Sequence, residues 1–191
     1  MLGINDKSWL VEKFYEAIPE LLQGIAISGA HEDSYEAYFG LGHSIQLIDD
    51  PAVFKVSPAG LALGNYLLRT LTNAEPVGSY LDLGTGSGVL ALLLRDLGVV
   101  DVVATDISAE AVALARRNEE LNFGNSTIRF STSDLFSDLS SGEKFDNIIF
   151  NPPGWRTPSA TFLEYLMAGN SRSEIAPSAM FYGDKVLLRF L

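Results

Sequence analysis

From Ser79 onward, short apolar runs alternate with longer stretches in which apolar residues recur at helical spacing. Ser79-Tyr80-Leu81-Asp82-Leu83 reads as a strand running into a glycine cluster. Val89 to Leu97 reads as an apolar helix closed by Gly98. Asp101-Val102-Val103-Ala104-Thr105 is a β-branched strand ending at Asp106. Ser108 follows as a helix N-cap with Glu110 in the first turn, and the helix runs to about Asn122 with Gly124 as its C-cap. Thr127 to Phe130 and Phe145 to Phe150 are the next two strands. Strands alternating with helices of this length predict an α/β fold with a doubly wound, mostly parallel sheet.

The first fifty residues read differently. Trp9, Leu10, Phe14, Ala17, Ile18, Leu21 and Leu22 keep helical spacing, with Pro19 ending or kinking the pattern. Gly24 to Gly42 is turn-rich with scattered aromatics. The expectation is a small helical cap or lid over residues 1–50, with the main domain over 51–191. A helix that simply packs on the main core is the plainer alternative. Ala59 to Leu71 is predicted helical on the spacing of Leu61, Leu63, Tyr66, Leu67, Leu68 and Leu71.

Composition narrows the function classes. Of 191 residues, 47% are hydrophobic and 19% charged, enough apolar material for a packed core. No apolar run approaches the ~18 residues of a membrane helix, and no secretory leader is evident, so the expectation is a cytoplasmic protein with no membrane partner. There is no cysteine, hence no disulfide, thiolate metal site or cysteine nucleophile. Two histidines, His31 and His43, make no typical zinc constellation, so no metal is expected. A net charge of −11 argues against a broad nucleic-acid footprint, although it is equally an ordinary solubility charge.

Two places carry candidate chemistry. Leu81-Asp82-Leu83-Gly84-Thr85-Gly86-Ser87-Gly88 is a glycine-rich strand-to-helix turn. Its backbone allows close approach of a ligand, and the helix N-terminus behind it offers free N–H groups. A dinucleotide fingerprint would need its third glycine at position 89, which is Val89, so a nicotinamide oxidoreductase is disfavoured. A carboxylate at Asp82 suits a cationic ligand group better than a pyrophosphate. Asp106, 24 positions on, is placed to accept both hydroxyls of a ribose. Asp134 after the third strand could accept from an adenine amino group with Leu135 against the ring; a plain loop carboxylate is nearly as good a reading. The second place is Asn151-Pro152-Pro153-Gly154, directly after the fourth strand and so on the same sheet edge. Two prolines stiffen the turn and remove two donors, leaving carbonyls and the Asn151 amide as a clamp for a planar NH2 group.

These residues resemble class I S-adenosylmethionine-dependent methyltransferases of the amino-methylating kind, with their Asn/Asp-Pro-Pro-aromatic motif, over roughly Val53 to Leu191. The resemblance rests on L-D-L-G-T-G-S-G, A-T-D-I-S and N-P-P-G, and lies nearest to release-factor glutamine methyltransferases and the rRNA or tRNA amino methyltransferases. It implies S-adenosylmethionine as cofactor on a Rossmann-like sheet. Asp82, Gly84, Thr85, Gly86 and Gly88 would line the methionine side, Asp106 and Ile107 the ribose, and Asp134 and Leu135 the adenine. Asn151 with Pro152 would grip the target amine, and Pro153 and Trp155 would meet the substrate. Phe54 to Pro58 resembles the segment that covers the cofactor. Gly154 stands where the family usually has Tyr or Phe, with Trp155 next. The family continues with a fifth strand and a hairpin, so the expectation is a chain lacking the last strands, with its fourth strand an exposed edge open to self-association. The implied substrate is a protein glutamine, a nucleobase or a small-molecule amine. An inactive cofactor-binding partner protein is the alternative.

Overall fold

The computed structural model describes residues 34–72, 76–152, 155–156, 181–182 and 189–190. Its centre is a four-stranded parallel sheet in the order β5-β4-β3-β6, built from β3 (Ser79–Leu83), β4 (Asp101–Asp106), β5 (Arg129–Thr132) and β6 (Asn147–Phe150). Helix α2 (Val89–Asp96) connects β3 to β4, and α3 (Ala109–Phe123) connects β4 to β5. The chain therefore winds outward from β3 to β5 and then returns to the other side of β3. That reversal between β3 and β6 is the place where a doubly wound sheet opens a crevice at its strand ends.

Both sheet faces are covered, as parallel strands require. Tyr80, Val102 and Ala104 share one buried cluster with Leu90 to Leu94 of α2 and Val112 and Ala115 of α3. Leu81, Leu83 and Val103 face the other way, against Leu135, Phe136, Leu139, Phe145, Phe150 and Phe190. The strand alternation thus sends Asp82 to the α2 side with Tyr80.

The helical region expected before residue 50 is, over the described part, a β-hairpin. Strands β1 (Ser34–Gly40) and β2 (His43–Ile48) pair antiparallel. Leu41 and Gly42 both have positive φ at the turn, 52° and 88°, which matches the twist of a two-residue hairpin connection. Ala37, Phe39, Ile45 and Leu47 alternate inward and join the same core as α2 and α3, so the hairpin shares the main core. The helix expected over Trp9–Leu22 lies outside the described residues. Helix α1 (Pro58–Leu71) starts on Ser57, whose Oγ accepts from Gly60 N–H at 3.1 Å, and has proline at its first position.

Beyond β6 the short strands β7 (Trp155–Arg156) and β8 (Phe181–Tyr182) pair parallel. Among the described residues β6 is the outer strand of the large sheet, with Ile148 exposed, and no helix is long and apolar enough to cross a membrane.

Candidate cofactor and amine site

The register of the sheet gathers the predicted residues on one edge. Leu83 pairs with Phe150 and with Thr105, and Asp106 pairs with Thr132. The next residues along each strand are therefore neighbours: Asn151, Gly84, Asp106 and then Ser133-Asp134. At about 4.8 Å per strand, the row from β6 to β5 spans about 14 Å. An elongated ligand laid across the strand tips would meet these residues in that order.

The glycine turn is tied down from several sides. Thr85 N–H donates to Thr105 O at 2.8 Å, and Gly88 N–H to Thr85 O at 2.9 Å. Asp106 braces the turn as well, its Oδ2 accepting from Gly86 N–H at 2.8 Å and its Oδ1 from Ser108 N–H at 2.9 Å. Each carboxylate oxygen has a second lone pair, so Asp106 can still accept from ligand hydroxyls. Ile107 beside it is 70% exposed, an apolar side chain left uncovered at the strand tip. The glycines do different work. Gly88 has φ 84°, and a Cβ there would stand 2.9 Å from the Ala115 Cβ, so it lets α2 and α3 pack. Gly86 has φ 55°, and a Cβ there would meet no atom of the chain within 4 Å. Space in front of Gly86 is what a ligand against the backbone requires.

Asp82 sits at the floor of this turn, 1% exposed. Its Oδ2 accepts from Thr85 Oγ1 at 2.6 Å and from Ala91 N–H at 3.2 Å. Among the described residues no Lys or Arg pairs with it. Burial pushes its pKa up to about 6; the hydrogen bonds from Thr85 and Ala91 oppose the rise and the nearby Asp106 charge adds to it. An unfolded aspartate titrates near about 4. Between those values the folded chain holds a proton that the unfolded chain lacks. The contribution of Asp82 is therefore full below about pH 4 and is lost as pH rises toward about 6, by on the order of 3 kcal/mol. Asp82→Asn should flatten that part of the profile. Urea midpoints between pH 4 and 7 test this, and parallel profiles for the two proteins would contradict it.

On the β5 side, Ser133 N–H donates to Asp106 O at 2.8 Å, joining the two strand ends. Ser133 Oγ donates to Leu135 O at 2.7 Å and accepts from Asp138 N–H at 3.1 Å, holding Leu135 at φ 54°. Asp134 is partly exposed, and its Oδ2 accepts from Arg189 at 2.7 Å. Phe190, next to that arginine, lies 4.8 Å from the Phe150 ring and 5.9 Å from Phe136. The predicted adenine acceptor thus has a guanidinium partner that no local motif announces.

On the β6 side, Asn151 and Pro152 are half-buried. Among the described residues the Asn151 amide has no hydrogen-bond partner. It stands against the first turn of α1, where a Cβ on Gly60 would come within 3.2 Å of Asn151 Nδ2. Among the described residues the amide is held by shape and left chemically free. Sequence reasoning missed Gly60; the Ser57-Pro58 helix start three residues before it was the available signal. Pro153 and Gly154 lie outside the described residues. Trp155 is placed by its backbone in β7.

A cationic, nucleoside-bearing ligand fits this set. The site offers a buried carboxylate with no Lys or Arg partner among the described residues, a braced strand-tip carboxylate with lone pairs to spare, and open space in front of a glycine.

Comparison with known proteins points the same way. The family model described as "Methyltransferase small domain" matches residues 44–166. The chain is 42% identical over 89 residues to a release factor glutamine methyltransferase of Staphylococcus aureus, covering 46% of this chain and 31% of that protein. It is 32% identical over 160 residues to a ribosomal protein L11 methyltransferase of Lactobacillus helveticus, covering 78% of this chain and 46% of that protein. This chain thus spans less than half the length of these relatives. The solved structure of a SAM-dependent methyltransferase from Agrobacterium tumefaciens shares the fold, with a TM-score of 0.50 at 21% identity over 66% of this chain and 42% of that one.

Proposed function

The chain belongs to the methyltransferase small-domain family, and from that premise we propose that it is an S-adenosylmethionine-dependent N-methyltransferase acting on a planar amide or amino nitrogen. A protein glutamine side chain is the favoured substrate. The observation that carries this reading is the Asn151 amide, without a hydrogen-bond partner among the described residues, beside the glycine turn at the crevice between β3 and β6. The name and identity of the Staphylococcus aureus relative support glutamine over a nucleobase, as does the net charge of −11.

When bound, the cofactor supplies an electrophilic methyl on a sulfonium, with a neutral thioether as leaving group. The residues of the chain bind and orient. Asp82 faces the cationic end, its charged form favoured once a cation is near. Asp106 accepts from the ribose hydroxyls while it keeps Gly86 in place. Exchange of the Arg189 partner for an adenine amino group would make Asp134 the nucleobase acceptor. Asn151 Oδ1 and the Pro152 carbonyl accept the two hydrogens of the substrate NH2. Both acceptors hold the nitrogen lone pair out of conjugation and toward the methyl, and they stabilise the positive charge that develops on nitrogen. The methylated nitrogen then gives one proton to water. Pro153 and Trp155 complete the substrate side in this reading.

The test is transfer of a labelled methyl group to a glutamine-bearing protein substrate, alongside calorimetry with S-adenosylhomocysteine. Asp106→Ala removes a charged acceptor from both the loop and the ribose, at about 1.5–3 kcal/mol per such bond. Affinity for S-adenosylhomocysteine should fall about 10- to 100-fold, with the single-turnover rate at saturation changed far less. Unchanged affinity would remove Asp106 from the cofactor site.

A further inference from the structure

Helix α3 carries Asn118 and Asn122 one turn apart on the side facing β2. Together they replace a strand along the open edge of the hairpin. Asn122 Oδ1 accepts from Gln46 N–H at 2.9 Å, and its Nδ2 donates to Gln46 O at 2.7 Å and to Asn118 O at 2.7 Å. All its bonds serve the hairpin and its own helix. Asn118 divides its amide. Oδ1 accepts from Ile48 N–H at 2.9 Å, and Nδ2 donates to Ser87 O at 2.9 Å. Asn118 is fully buried, so neither partner is replaced cheaply by water.

The two partners lie at the roots of two different walls of the site. Ser87 stands between Gly86 and Gly88 in the cofactor turn. Holding its carbonyl from below fixes the Ser87–Gly88 peptide at the start of α2. Ile48 ends β2 and begins the stretch that leads through Phe54 to Ser57 and Gly60, against Asn151. We propose that Asn118 is a positioning residue that locks the cofactor turn and the root of the covering segment to one side chain, so that the two walls order together. The ligand arm of this proposal rests on the functional reading above; the coupling itself does not.

Hydrogen exchange in the ligand-free protein tests the coupling, with Asn122→Ala as the matched control. Asn118→Ala should speed exchange at both Ile48 N–H and Gly88 N–H by tenfold or more. Asn122→Ala should speed exchange at Gln46 and leave Gly88 within twofold. In calorimetry, Asn118→Ala should weaken S-adenosylhomocysteine about tenfold, the scale of one buried hydrogen bond, and Asn122→Ala by less than twofold. If the two variants lose thermal stability equally and leave Gly88 exchange and affinity alike, Asn118 is only a structural residue and the proposal falls. Should Asn118→Ala not fold, Asn118→Ser carries a hydroxyl one bond short of the amide's terminal atoms, too short to span both partners; normal exchange at both amides in that variant would also overturn the coupling. A wild-type chain that fails to bind S-adenosylhomocysteine overturns the functional reading instead, while the ligand-free exchange comparison still decides this one.

Discussion

Asn151→Ala is expected to lower the rate of methyl transfer about a thousandfold while leaving the affinity for S-adenosylhomocysteine within about threefold, because its acceptor serves only the transition state. The expectation follows from what the side chain lacks as much as from where it is. Its amide has no hydrogen-bond partner among the described residues, so its removal strands no buried donor or acceptor. Fold stability should therefore hardly move. The adjoining backbone is paired through Leu83 and Phe150, so the crevice keeps its shape. In the proposed role, what is lost is the oxygen that turns the amine lone pair toward the methyl group. Asn151→Asp retains an acceptor at that place and should recover part of the rate. Single-turnover transfer and calorimetry on the same preparations separate rate from binding. Equal loss of both in Asn151→Ala would mean that the side chain holds cofactor rather than substrate.

The site was legible where it depends on strand ends. Asp106, Asp134 and Asn151 each follow or close an apolar run, and the parallel register places them on one edge, while Asp82 lies one residue inside the end of β3. Local caps were legible too: Ser108 Oγ accepts from Ala111 N–H, and Gly124 takes the left-handed conformation that ends α3. Side chains that reach across the fold blurred the strand limits. The strand expected from Thr127 begins at Arg129, because the N–H groups of Thr127 and Ile128 go to Glu119 instead. The strand expected from Phe145 begins at Asn147, because Asp146 turns back to accept from Ser79 N–H and Oγ. The hairpin was hidden for a different reason. Tyr35, Ala37 and Phe39 alternate as a strand should, but Leu41-Gly42 is a weak turn signal, and the edge of β2 is completed by helix amides. The Arg189 partner of Asp134 lies 55 positions away, beyond any local pattern.

Replacing Glu119 should cost more stability than any other single change among the described polar residues, about 3–5 kcal/mol for Glu119→Ala. Glu119 is fully buried. Its Oε1 accepts from Arg95 Nη1 at 2.6 Å, Thr127 N–H at 2.7 Å and Ile128 N–H at 2.9 Å. One oxygen therefore ties the end of α2, the body of α3 and the lead into β5. Alanine would leave two backbone donors and a mostly buried guanidinium short of an acceptor. Arg95 would keep its bonds to Asn125 and its place 4.1 Å over the Phe123 ring, so it would stay in its pocket rather than swing out to water. At about 2–4 °C per kcal/mol for a chain of this size, the melting temperature should fall by about 10 °C. Glu119→Gln keeps an acceptor at Oε1 and should lose much less. Its amide nitrogen would take the place of Glu119 Oε2, which has no hydrogen-bond partner among the described residues. Urea unfolding at constant slope measures both variants. A loss below about 1 kcal/mol in the alanine variant would mean that water enters and satisfies the three donors. Below its melting temperature that variant should bind S-adenosylhomocysteine as wild type does. Glu119 faces the start of β5, whereas the glycine turn is held through the neighbouring Asn118 and through Asp106.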